Sequence, residues 1–78
     1  MPTVLRWKGY SFLFYSVDGE EPPHVHIRKG RQEAKIWLED CSIEVSRRIP
    51  PHELGRLQDK VREHRNEFLR AWNDYFGL

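Results

Sequence analysis

Two histidines that stand one residue apart, His24 and His26, are the residues of this chain best suited to chemistry. They follow a double proline in the stretch EEPPHVHIRKG, residues 20–30. On a β-strand, residues two apart point to the same face with Cα atoms roughly 6.6 Å apart, so both imidazoles can reach one metal ion. Zinc takes three or four protein ligands, and the sequence offers five further candidates: Glu20, Glu21, Cys41, His52 and His64. The pair therefore predicts a zinc-like metal site as one alternative.

The same pair also suits acid–base chemistry without a metal ion. An imidazole has an ordinary pKa of roughly 6.5, so it accepts or donates a proton near neutral pH. Arg28, with Lys29 or Arg31 beside it, can stabilise the negative charge that develops on a phosphodiester. The second alternative is thus a His-dependent ribonuclease or phosphodiesterase that uses His24, His26 and Arg28. The third is an ordinary sheet surface.

His64 is a further candidate for the site, because it occupies an apolar-stripe position of the C-terminal helix. One interpretation is a partly buried histidine with a single hydrogen bond, and the other is a catalytic or ligand role beside His24 and His26. The helix is expected to cover the apolar sheet face, whereas the pair points the other way. A shared site therefore requires the pair to lie near the end of the sheet, where the proline loop folds over.

Two hydrophobic periods divide the chain, and they predict one α+β domain over residues 1–78. Alternating apolar residues up to about residue 46 indicate strands, whereas steps of three and four indicate a helix over residues 51–76. The prediction is a small antiparallel sheet of four to five strands with one long C-terminal helix packed across one face. The strands are expected at residues 3–7, 10–17, 24–28, 32–39 and 42–46, with turns at Lys8-Gly9, Asp18-Gly19 and Lys29-Gly30.

Strand alternation also assigns side chains to two faces of the sheet. The core face is expected to carry Val25, Ile27, Ala34, Ile36, Leu38, Ile43 and Val45. The wetter face is expected to carry His24, His26, Arg28, Lys35 and Trp37. A helix of 26 residues would extend roughly 39 Å, more than such a sheet needs. Its aromatic end is therefore expected to meet a partner.

Composition limits the classes of partner and compartment. The net charge is +1, from 13 cations and 12 anions, so no general attraction to nucleic acid or membranes is expected, although local cation blocks leave a nucleic-acid role open. A single cysteine excludes an internal disulfide and a site built from several thiolates. The N-terminus has no signal-peptide pattern and the chain has no membrane-spanning run, which predicts a cytoplasmic protein. A thin core is expected at this length, and self-association would strengthen it.

Three motifs together resemble a known family. They are the run Pro22-Pro23-His24-Val25-His26, the strand from Glu33 to Ile36, and the helix phrase EHRNEFLRAW, residues 63–72, with the opening Met-Pro-Thr and Gly9. The chain resembles the bacterial domain-of-unknown-function 4160 family over nearly its whole length. The resemblance implies a small prokaryotic protein, often encoded beside a second small protein in a toxin–antitoxin-like arrangement, and it implies no established reaction.

The favoured functional prediction is a partner-binding component of a toxin–antitoxin-like module. The partner would be the small protein from the neighbouring gene or a second copy of the chain. The ribonuclease and metal-binding alternatives stay open, so the sequence leaves undecided whether the protein is an enzyme.

Overall fold

The computed structural model describes residues 2–77 and has the predicted α+β architecture. Five strands form one antiparallel sheet in sequence order, and two helices follow them. A short 3₁₀ helix interrupts the strands, so β2 ends earlier than residue 17, where the sequence pattern placed its end. The elements are β1 (Thr3–Trp7), β2 (Tyr10–Leu13), the 3₁₀ helix (Ser16–Glu20), β3 (His24–Lys29), β4 (Gln32–Trp37), β5 (Ile43–Arg47), α1 (Pro51–Glu63) and α2 (Arg65–Phe76).

Tight turns at two of the three predicted places explain much of the simple strand order, whereas the third place, Asp18-Gly19, lies within the 3₁₀ helix. Lys8 and Gly9 both have positive φ, 50° and 82°, which is the backbone of a type I′ hairpin turn and matches the twist of β1 and β2. Gly30, with φ of 58°, makes the turn between β3 and β4. Antiparallel neighbours joined by such short turns stay adjacent in space.

The core lies between one face of the sheet and the two helices. Ladder pairs Phe12–Ile27 and Val25–Ile36 place fully buried apolar side chains on this face. The helices contribute four buried residues to the same core: Leu57, Val61, Phe68 and Trp72. The predicted core positions from Val25 to Leu38 are therefore confirmed.

The predicted core face of β5 is wrong for Val45 but not for Ile43, because the pairing with β4 contains a bulge between them. Lys35 pairs with Val45, and the next residue, Ile36, pairs with Ile43. A bulge sets two residues against one and reverses which side chains face the core beyond it. Val45 consequently lies beside Lys35 on the wetter face, and Ile43 is 37% exposed.

The C-terminal segment forms two helices rather than the single one predicted. His64 separates them with φ of −105° and ψ of 14°, outside the helical range. Beyond this break, the guanidinium of Arg65 donates hydrogen bonds to the backbone oxygens of Leu38 and Glu39. These bonds fix the start of α2 against the end of β4.

The aromatic end of α2, where a partner was expected, packs largely inside the molecule. Trp72 is 1% exposed and Phe76 packs on the core, while Tyr75 is exposed. Gly77 ends the helix in the left-handed conformation, with φ of 73°, which glycine adopts without steric cost. Neither α1 nor α2 has the length and apolar character that crossing a membrane requires.

Candidate metal centre

The 3₁₀ helix brings Asp18 over the beginning of β3. Asp18 itself stabilises the backbone of this short helix, because its Oδ2 accepts a hydrogen bond from the backbone N–H of Tyr15 at 2.7 Å. Gly19 packs tightly against α2, since a Cβ atom there would lie 2.7 Å from Cδ1 of Phe76. Asp18 is consequently only 5% exposed, although the sequence assigned it to a surface turn.

His24 is completely buried at the start of β3. It belongs to the predicted wetter face by register, opposite Trp37, but the rings of Trp37 and Trp72 lie 5.3 and 5.2 Å from its own ring. Nδ1 lies 2.9 Å from the backbone oxygen of Pro22. A carbonyl oxygen only accepts, so Nδ1 carries the proton and donates it to Pro22.

His26 lies beside His24 and remains partly open to solvent. The two rings meet edge to face with centroids 4.9 Å apart, and the ring of Tyr15 lies 4.5 Å away on another side. Nε2 of His26 is 3.1 Å from Oδ2 of Asp18, and the His26 side chain is 20% exposed. One carboxylate therefore faces both imidazoles.

Asp18, His24 and His26 form what we call the Asp18 cluster. One ligand atom from each residue lies within 4.8 Å of the other two. The shortest separations between carboxylate oxygens and ring nitrogens are 3.1 and 3.2 Å, close to the roughly 3.4 Å between neighbouring ligands of a tetrahedral zinc ion. Two imidazoles and a carboxylate suit zinc and other first-row divalent ions.

Nε2 of His24 distinguishes this cluster from an ordinary buried ion pair. It lies 3.2 Å from Oδ1 of Asp18, but it is not aligned with that oxygen for a hydrogen bond. Among residues 2–77 this buried nitrogen has no hydrogen-bond partner. Buried polar atoms are nearly always satisfied, and the exceptions mark special sites.

The electrostatics of the cluster favour an ionised carboxylate and a neutral His26. Burial alone would raise the pKa of Asp18, but the Tyr15 N–H and the two imidazoles bring it below its ordinary value. Burial lowers the pKa of His26, and Asp18 offsets this only in part. Metal ligands require these same protonation states.

Comparison with known proteins places the site in a family. Residues 9–73 match the family described as Domain of unknown function (DUF4160), which contains the whole Asp18 cluster. The chain belongs to this DUF4160 family. Neither a curated protein nor a solved structure matches the chain. The family match over residues 9–73 confirms the resemblance predicted from the sequence.

Within this DUF4160 chain, the other predicted site residues have separate positions. Arg28 lies on the same sheet face as His26 and donates a hydrogen bond to the hydroxyl of Tyr15 at 2.9 Å. His64 lies at the junction of the helices, stacks on Phe68 with centroids 5.7 Å apart, and places Nδ1 3.3 Å from Glu67. These contacts match the first of its two interpretations, a partly buried histidine with one hydrogen bond, and His64 is not a member of the Asp18 cluster found within residues 2–77.

None of the third ligands proposed from the DUF4160 sequence joins the cluster found within residues 2–77. Glu21 pairs with Lys35 at 2.7 Å. Cys41 is buried beneath a turn, and burial raises the pKa of its thiol. The third member of the cluster is Asp18, which sequence reasoning missed. Its signal was weak: an aspartate three residues after Tyr15, at the position where it caps a short helix.

Proposed function

We propose that this protein binds one divalent transition-metal ion through Asp18, His24 and His26 and uses it for hydrolysis. The observation that carries the proposal is Nε2 of His24. Because Nδ1 donates to Pro22, a neutral His24 has an unshared lone pair on Nε2, and this buried atom lies 3.2 Å from Oδ1 of Asp18. A cation bound between these atoms replaces their repulsion by two ligand bonds.

The ligand set is typical of a catalytic rather than a structural site. Structural zinc sites are closed by four protein ligands, whereas catalytic sites use three and leave a position for water. A bound ion acidifies that water and supplies a hydroxide nucleophile near neutral pH. His26 is partly exposed, so solvent and substrate have a route to this side of the cluster.

The arrangement of ring nitrogens favours metal binding over metal-free catalysis by the histidine pair. Acid–base cleavage of a phosphodiester needs a base and an acid that reach the substrate. Three of the four ring nitrogens in the cluster instead face Pro22 or Asp18. Only Nδ1 of His26 is left outside these contacts, which is too few for the pair to serve as both acid and base.

Metal stoichiometry tests the proposal directly. The purified chain is stripped with a chelator and titrated with Zn²⁺ and with Co²⁺, followed by calorimetry, elemental analysis and the visible spectrum of Co²⁺. We expect one ion per chain and a Co²⁺ spectrum of low coordination number. His26→Ala is the first variant, because its side chain is less buried than that of His24 and it should remain folded.

The matched control is His52→Ala, which removes an exposed histidine at the start of α1. It should bind the ion as the wild type does, while His26→Ala and Asp18→Asn should lose most of the affinity. Binding of less than about one tenth of an ion per chain, or equal binding by folded His26→Ala, would overturn the proposed site. Circular dichroism of every variant verifies the fold.

Hydrolysis is tested on chromogenic phosphate and carboxylate esters with the metal-loaded protein. We expect turnover that disappears with the chelator and returns with the ion. If the protein binds one ion but hydrolyses none of these esters, the metal site is supported and the enzymatic part of the proposal is wrong.

Partner binding in a toxin–antitoxin-like pair is a second proposal, and the open edge of the sheet supports it. β5 is the last strand of the sheet, and Ile43 within it is an exposed apolar side chain. An edge strand of this kind can pair with a strand of another chain. Co-expression with the neighbouring gene product tests this role: a complex weakened by Ile43→Lys supports it, whereas a lone monomer with a concentration-independent melting temperature contradicts it.

A further inference from the structure

A cavity of about 320 Å³ adjoins the Asp18 cluster on the sheet face that the helices leave open. His26 belongs to both, as a cluster residue and as part of the cavity wall. Tyr15, whose ring packs on His26 at 4.5 Å, forms another part of the wall. A molecule in this cavity would therefore contact the residues that surround the proposed ion.

The cavity wall is rich in positive charge. Three of its side chains are cations, Arg28, Lys35 and Arg47, and one is an anion, Glu33. Glu33 forms an ion pair with Arg47, and Lys35 is paired with Glu21, which lies outside the cavity wall. The third cation, Arg28, differs from these two because it has no carboxylate partner among residues 2–77.

Arg28 is oriented but its charge is not matched by a carboxylate. Its Nη1 donates to the hydroxyl of Tyr15 at 2.9 Å, which fixes the guanidinium at the cavity. Glu33 is its ladder partner across the sheet but pairs with Arg47 instead. Among the described residues Arg28 forms no ion pair, so most of its N–H donors are free for a ligand.

These features fit a phosphate group better than a carboxylate. A guanidinium matches two oxygens of a phosphate in a bidentate contact. Lys35 and Arg47 supply further donors nearby, and a phosphate has oxygens left to accept them. A carboxylate has only two oxygens, so once Arg28 has bound both of them, Lys35 and Arg47 are left with only their present partners, Glu21 and Glu33.

We propose that this cavity binds the phosphate group of a phosphate ester, with Arg28 as its main ligand, and presents the ester to the ion held by the Asp18 cluster. This inference rests on the proposed function for its chemistry. The oxygen of a water activated by that ion would form a bond to phosphorus, the bond from phosphorus to the alcohol oxygen would break, and the departing oxygen would take up the proton that the water lost. The net reaction consumes one water and yields an alcohol and a phosphate.

The experiment measures binding separately from hydrolysis. Inorganic phosphate, a mononucleotide and a short single-stranded RNA are titrated into wild-type protein, with and without Zn²⁺, by calorimetry and by NMR shifts of the Arg28 and Tyr15 signals. We expect all three to bind if phosphate is the shared element, with Arg28→Gln weakening each by roughly tenfold or more, the loss expected for a charge-assisted hydrogen bond. Tighter binding of RNA than of free phosphate would identify a nucleic-acid strand as the source of the phosphate.

The matched control is Arg31→Gln, which removes an exposed cation from the turn after β3, outside the cavity wall. It should weaken phosphate binding by less than about twofold, the level of a screened surface charge. Equal effects of the two substitutions, or acetate binding as tight as phosphate binding, would overturn the inference.

The outcomes also separate this inference from the proposed function. Phosphate binding by Asp18→Asn, a variant expected to lose the ion, would support the phosphate site independently of the metal. Binding of Zn²⁺ with no detectable binding of phosphate would retain the metal centre and overturn the phosphate site.

Discussion

Asp18 is the residue on which the candidate site depends. Its carboxylate accepts the Tyr15 N–H on one side and faces the ring nitrogens of His24 and His26 on the other. The first contact shapes the 3₁₀ helix, and the second completes the ligand set of the proposed metal site. The Asp18 side chain therefore both holds the backbone of the 3₁₀ helix and supplies the carboxylate of the proposed metal site.

Substituting Asp18→Asn tests the structural half of this role in metal-free protein. The substitution preserves the shape of the side chain but removes the charge that the backbone N–H and the imidazoles stabilise. We expect the free energy of unfolding to fall by about 1–3 kcal/mol, measured by urea denaturation at pH 7. Asp59→Asn, at a position where the side chain is 75% exposed, should change it by less than about 0.5 kcal/mol. Equal stability of the two variants would contradict this role for Asp18.

Tyr10 predicts a distinct pH dependence far from the cluster. Its hydroxyl is buried without a hydrogen-bond partner among residues 2–77, and burial together with Glu53 raises its pKa to about 12. The unfolded chain releases this proton near pH 10, whereas the folded chain retains it. Stability from Tyr10 is thus complete below about pH 10 and is lost between about pH 10 and 12, by at most about 1.4 kcal/mol per pH unit.

Tyr10→Phe should remove that component. The variant should be within about 1 kcal/mol of wild type at pH 7, because the hydroxyl lacks a partner, and should lose less stability between pH 9 and 11. Urea denaturation at both pH values measures the difference. Parallel losses in the two proteins would show that Tyr10 ionises equally in the folded and unfolded chains.

At the residue scale, the sequence was sufficient for the histidine pair and insufficient for its partner. Alternation on a strand places His24 and His26 side by side whatever surrounds them. Asp18 reaches them only because the chain leaves the sheet after Leu13 and folds back. That path depends on packing against Phe76, a residue that no local pattern connects to Asp18.

At the element scale, the 3₁₀ helix is held between β3 and the end of α2. Gly19 lies at the closest approach, where an added Cβ would be 2.7 Å from the Phe76 ring. Gly19→Ala should displace the 3₁₀ helix and with it Asp18. We expect zinc affinity to fall roughly tenfold, the lower range for residues that support metal ligands, as measured by competition titration.

A second substitution and a control sharpen this prediction. Gly19→Ala combined with Phe76→Leu should recover part of the affinity, because the smaller side chain makes room. Gly55→Ala, in the interior of α1 with nothing within 4 Å of the added atom, should leave zinc affinity unchanged and stabilise the fold by roughly 0.5–1 kcal/mol. An unchanged zinc affinity in Gly19→Ala would show that this contact does not position Asp18.

The order and approximate extent of the elements were predictable, and two irregularities were not. The architecture could be predicted from three signals: the alternation of apolar residues in the strands, the turn residues, and the change of hydrophobic period at residue 51. The bulge that turns Val45 over depends on the pairing of β5 with β4. No proline or glycine stands beside His64 to indicate a helix break. The apolar stripe also continues on both sides of it, so the sequence pattern reads as one helix.

At the scale of the whole molecule, metal binding should be visible as added stability. The ligands join the 3₁₀ helix to β3, and an ion that binds only the folded chain stabilises it by about 2.7 kcal/mol at a concentration of 100 Kd. For a domain of this size, that raises Tm by roughly 10–20 °C. Calorimetric scans with and without Zn²⁺ measure the shift, and a similar shift in His26→Ala would attribute it to binding elsewhere.

The three proposed ligands of the cluster come from only nine consecutive residues, 18–26. Closing so short a loop takes on the order of 100 ns or less, and the prolines at positions 22 and 23 narrow the conformations that must be searched. Trp72, which covers His24, is synthesised much later. During translation the ion could thus be captured first and enclosed last, so that its release from the finished protein would wait for α2 to move away.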